Sequence, residues 1–110
     1  MPKYSLVYFE DLFGGRNPGF WELIGALAEE LDGYARELPQ AVNQGPEAVA
    51  RIRHDHRPAV VNLGLEDLCA REEALKRALE AGDVPPALVQ GITDEAASVA
   101  QALTSERLRA

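Results

Sequence analysis

The run Arg53-His54-Asp55-His56-Arg57-Pro58 holds both histidines of the chain, and any chemistry must be sought there. An imidazole can bind a metal, move a proton or hold a phosphoryl group. Backbone geometry chooses among these uses. On a strand, residues i and i+2 share a face; on a helix they do not. Helical metal pairs need i,i+3 or i,i+4 spacing. If this run is coiled, the two rings cannot share an ion and Asp55 points a third way. No metal site is expected.

The surrounding sequence argues for a coil. Gly14-Gly15-Arg16-Asn17-Pro18 is a break followed by a helix start, with Asn17 as N-cap and Pro18 at the first helical position. Before it, Leu6 to Phe13 suits one short helix. After it, Phe20, Leu23, Ile24, Leu27, Leu31, Tyr34, Leu38 and Val42 recur mostly at steps of three and four. Pro39 is expected to kink or end this helix near Leu38. Gln44-Gly45-Pro46 opens a third segment, which Gly64 closes near Leu63. A fourth starts near Glu66 and stops at Gly82-Asp83-Val84-Pro85-Pro86. The last starts near Pro86, with Thr104 to Ala110 expected to fray. No segment alternates with period two. The fold expected over residues 1–110 is one all-α domain: an antiparallel up-down four-helix bundle with a short extra N-terminal helix.

On the third segment, Val49, Ile52, Ala59, Val60 and Leu63 form the apolar stripe. At about 100° per residue, His56 falls near the middle of that stripe and His54 about 170° away, toward solvent. His56 is therefore expected to be a packed histidine with one ring nitrogen hydrogen-bonded. Around His54 the helical neighbours are Ala50, Arg51, Arg57, Pro58 and Val61. Arg51 and Arg57 would bracket the ring with guanidinium groups suited to phosphoryl oxygens. Ala50, Pro58 and Val61 are compact and apolar, leaving the ring approachable with a dry rim. Pro58 removes the backbone bond that the His54 carbonyl would normally accept.

Composition narrows the partners. A chain of 110 residues with 46% hydrophobic residues can bury one core. Its formal net charge of −7 disfavours nucleic acid and anionic membrane. The single cysteine, Cys69, excludes an internal disulfide. No apolar run suffices for a secretory core or a membrane span, so a cytoplasmic protein without membrane insertion is expected. Gly14-Gly15 lacks the rest of a phosphate-binding loop, so no ATP site is expected.

The stretch from His54 to Cys69 resembles histidine-phosphotransfer (HPt) domains. In that family the phosphorylated histidine is followed three residues later by a basic residue, then by a small residue, a helix-ending glycine and a leucine. Here these places are held by His54, Arg57, Pro58, Gly64 and Leu68. Leu79-Glu80-Ala81-Gly82-Asp83 is similar to the end of the family's next helix. Two positions depart from the pattern: His56 stands where leucine is usual, and Pro58 where glycine is commoner. The resemblance implies a phosphocarrier rather than an enzyme, accepting a phosphoryl group on His54 from a receiver aspartate and passing it to another receiver. It implies response-regulator receiver domains as partners, with a hybrid sensor kinase as a further candidate. It implies no cofactor of its own, Mg²⁺ being expected on the receiver. The departure at His56 leaves open a module of the same shape that binds receivers or a sensor kinase without accepting phosphate. An unrelated helical enzyme or metal protein is the third reading.

Overall fold

A computed structural model describes residues 2–110, and the described residues form helices joined by turns, with no strand among them. The helices are α1 (Val7–Phe13), α2 (Pro18–Gln44), α3 (Pro46–Asn62), α4 (Glu66–Ala81) and α5 (Pro86–Arg109). Asn17 caps α2: its side-chain oxygen accepts from the Phe20 amide at 3.0 Å, while its amide nitrogen donates to the Phe13 carbonyl at 2.8 Å. One side chain thus starts the longest helix and ties it to the end of α1.

The core is built on α2 and α5. Phe20, Ile24, Leu27, Leu31, Tyr34 and Leu38 follow one face of α2, and Ile92, Ala96, Val99 and Leu103 follow one face of α5. Steps of three and four keep each set on a single stripe, so the two helices bury each other along their length. α3 packs on α2, α4 packs on α5, and α3 touches α4. The result is a rod of 46 × 21 × 20 Å. Among the described residues no helix is long and apolar enough to cross a membrane.

Two turns set the register of α3 and α4. At Gly64 (φ 68°) the amide of Leu65 donates to the Val60 carbonyl and that of Gly64 to the Val61 carbonyl, both at 3.0 Å. This left-handed ending needs a residue without a Cβ, and buried Val60 and Leu65 close its apolar side. Gly82 (φ 77°) ends α4 in the same way, with Asp83 donating to Ala78.

Of the two outcomes expected at Pro39, a kink or an end near Leu38, the end does not occur: the helix runs on to Gln44. Pro39 faces solvent, and buried Leu38 and Ala41 hold the helix on either side of the missing bond. The tail does not fray at Thr104: α5 reaches Arg109. Buried Leu103 and the hydrogen bond from Tyr4 to Glu106 anchor it, and the Arg107 guanidinium lies where a side chain on Gly25 would stand. Those contacts come from the N-terminal segment and from α2, so no local pattern announces them.

Candidate functional site

α3 is one uninterrupted helix through both histidines, and it presents them to different neighbours. His54 is exposed and borders a groove of about 550 Å³ between α3 and α4. Val49, Ala50 and Leu79 form the apolar part of that groove, and its charged lining is mixed: Arg53, Arg57 and Lys76 stand with Glu47, Glu73 and Glu80. Glu47 lies about two helical turns before His54 along α3.

His56 is turned the other way, onto α2. Its ring stacks on that of Tyr34, with centroids 5.1 Å apart and planes 17° from parallel. The carboxylates of Glu30 and Glu37 lie 3.9 Å from Nδ1 and Nε2, beyond hydrogen-bonding distance. Nδ1 is buried without a hydrogen-bond partner. The inward placement agrees with the helical geometry, but the expected hydrogen bond is replaced by an aromatic stack. An aromatic face can cover an imidazole where no donor or acceptor is in reach.

Between the two histidines runs a polar network that links three helices. Tyr34, fully buried on α2, donates its hydroxyl proton to Glu72 Oε2 on α4. Glu72 is only 4% exposed, and its other oxygen lies 3.8 Å from Arg53 Nε on α3. Arg53 also donates to Glu73 at 2.8 Å. A buried carboxylate is tolerated only when paired and hydrogen-bonded, and Glu72 is both. Burial pushes the Glu72 carboxyl above the usual carboxylate range, against the opposing pull of the Tyr34 hydrogen bond and the Arg53 charge. Burial also raises the Tyr34 hydroxyl, and the neighbouring Glu72 charge and hydrogen bond raise it further. The bond from Arg53 holds Glu73 below its ordinary value. Burial, then the Glu72 charge, lifts the Cys69 thiol, which keeps it protonated at neutral pH.

The remaining residues singled out from sequence are spread along α3. Arg57 and Ala50 line the His54 groove. Arg51 is exposed on the same helix but does not line the groove. Pro58 is exposed one turn after His54, and Val61, 51% exposed, lies two turns after it. Gly64 stands beyond them, in the turn that ends α3. At that end of the molecule the Ser5 amide donates to the Leu63 carbonyl at 2.8 Å, bringing the start of α1 against the end of α3. Val7, Tyr8 and Leu12 of α1 are exposed large apolar residues, as is Val61. Among the described residues no three His, Cys, Asp or Glu side chains come together as a metal site would require.

Lys76, Tyr34, Glu72 and the role of Arg53 are not deduced from sequence. Glu72 did carry a signal: it sits four residues after Leu68 and three before Leu75, on the apolar stripe of α4. A carboxylate in that register must find partners. Comparison of the chain with family models, with curated proteins and with solved structures returns no match.

Proposed function

We propose that this chain is a histidine-containing phosphocarrier in a two-component multistep phosphorelay, with His54 as the phosphoryl-bearing residue. The observation that carries the reading is the setting of His54: exposed on a continuous helix, at a groove that also holds Arg57 and Lys76. Neither cation is in an ion pair among the described residues, whereas Arg53 is committed to Glu72 and Glu73. The two uncommitted cations are available to phosphoryl oxygens. The packing of α2 with α3 and α5, and of α4 with α3 and α5, supports an antiparallel up-down four-helix bundle with α1 as the short extra helix.

In the proposed step a neutral imidazole nitrogen of His54 attacks the phosphorus of a receiver's aspartyl phosphate. An N–P bond forms, the O–P bond to the aspartate breaks, and the carboxylate is regenerated. The proton on the other ring nitrogen stays with the ring or leaves to water. The receiver supplies Mg²⁺; this chain supplies position and charge compensation. Passing the group on reverses the same bonds on a second receiver. The apolar residues Val7, Tyr8 and Leu12 of α1, with Ala50, Pro58 and Val61 of α3, are the proposed docking surface for the receiver. Such a relay works in the cytoplasm and needs only a modest, transient interface.

Incubation with a phosphorylated receiver domain tests this. Acid-labile label is expected on the wild-type chain and on His56→Gln, and none on His54→Gln. Label that survives His54→Gln and disappears in His56→Gln moves the site. Stable receiver binding without label on any form replaces the carrier with a non-phosphorylated interaction module.

A further inference from the structure

Tyr34 reaches the His54 segment by two routes, one direct and one through Glu72. Its ring stacks on His56, and its hydroxyl holds Glu72, whose other oxygen faces Arg53. Arg53 and His56 are an i,i+3 pair, one helical turn apart on the same flank of α3. Arg53 directly precedes His54 in the chain, and His56 follows it by two residues. Rotation of this turn about the axis of α3 would pull His56 off the tyrosine ring and Arg53 away from Glu72. The backbone here gives less resistance than elsewhere in α3, because Pro58 has no N–H for the His54 carbonyl. Side-chain anchors thus help to set the azimuth of the exposed imidazole; the His56 stack and the Arg53–Glu72 contact both lead to Tyr34, and Arg53 is held in addition by Glu73.

We propose that Tyr34 is a positioning residue for His54, fixing through His56 and through Glu72–Arg53 the direction in which α3 offers the imidazole to a phosphoryl donor. The role rests on the phosphocarrier reading. Tyr34 is fully buried and never meets the donor, so its effect belongs to the transfer step and not to docking. In-line phosphoryl transfer is sensitive to small misplacements of the nucleophile.

The test is Tyr34→Phe, which keeps the ring and its volume but deletes the hydroxyl. At a temperature where the variant is fully folded, the rate constant for transfer from a phosphorylated receiver is expected to fall about tenfold or more. The half-saturating receiver concentration is expected to stay as in wild type. Glu72→Gln should slow transfer similarly, and the double variant should be no slower than either single one, since both break one linkage. Ile92→Val, a core change on α5, serves as the destabilised control and should leave the rate unchanged. Independently of transfer, the ring signals of His54 in a proton–carbon NMR spectrum should shift in Tyr34→Phe, which also covers a variant that folds only at low temperature. Wild-type rates and unmoved His54 signals in Tyr34→Phe would overturn the positioning role while leaving the carrier intact. A wild-type chain that takes no label at His54 would remove the carrier reading and this role with it.

Discussion

Replacing Arg53 with methionine isolates the electrostatic cost of the buried Glu72. Methionine keeps most of the apolar stem, so packing is largely preserved and the loss is that of the cation. Removing one partner of a fully buried ion pair costs roughly 3–5 kcal/mol, because a charge is left uncompensated. Here the guanidinium is 3.8 Å from the carboxylate and Glu72 keeps its bond from Tyr34, so the expected cost is lower, about 2–3 kcal/mol. The Glu73 side of the contact is open to solvent and adds little. For a chain of this size the loss corresponds to a fall in Tm of roughly 8–12 °C. The deficit should also depend on pH. The folded-state pKa of Glu72 is already raised by burial, and loss of Arg53 raises it further. A raised carboxyl pKa favours folding fully below the unfolded value near ~4.3, and this support is lost as pH rises through the folded value. The deficit relative to wild type should therefore be small near pH 4 and reach its full size at neutral pH. Urea unfolding of both proteins across that range measures it, with Arg53→Met/Glu72→Gln as the rescue. A deficit that is the same at every pH and is not relieved by glutamine at position 72 would refute the assignment of Arg53 as the counter-charge.

Two further substitutions probe the elements that carry the site. Asn17→Ala removes the cap on α2 and the bond to Phe13, and should cost about 1 kcal/mol in urea unfolding. Gly33→Ala in the middle of α2 meets only the Arg36 side chain at 3.8 Å and should raise stability by roughly 0.5–1 kcal/mol, read as a higher Tm.

The punctuation of the chain was legible in its sequence. Asn17-Pro18, Gly45-Pro46, Gly64, Gly82 and Pro86 are local signals, and each marks a helix boundary because capping and left-handed turns depend on residues close in sequence. The opposition of His54 and His56 was legible for the same reason: it follows from the helical period alone. What escaped depends on contacts between helices. Tyr34 and Glu72 are 38 positions apart, and Lys76 reaches the His54 groove from α4. The stack of His56 on Tyr34 replaced the hydrogen bond expected for a packed histidine, since only the fold decides which partner lies opposite. α2 does not end at Pro39 and the Thr104–Ala110 tail does not fray, because local propensity was outweighed by buried anchors on either side or by contacts with a distant segment.

The most direct test follows the phosphoryl group itself. The purified chain is labelled by a phosphorylated receiver, digested under mildly alkaline conditions that preserve phosphohistidine, and mapped by tandem mass spectrometry before and after a chase with a second, unphosphorylated receiver. The modification is predicted on the peptide bearing His54, at that residue, and it should leave the chain during the chase. Modification at His56 or at a carboxylate, or no transfer in either direction, would contradict the account.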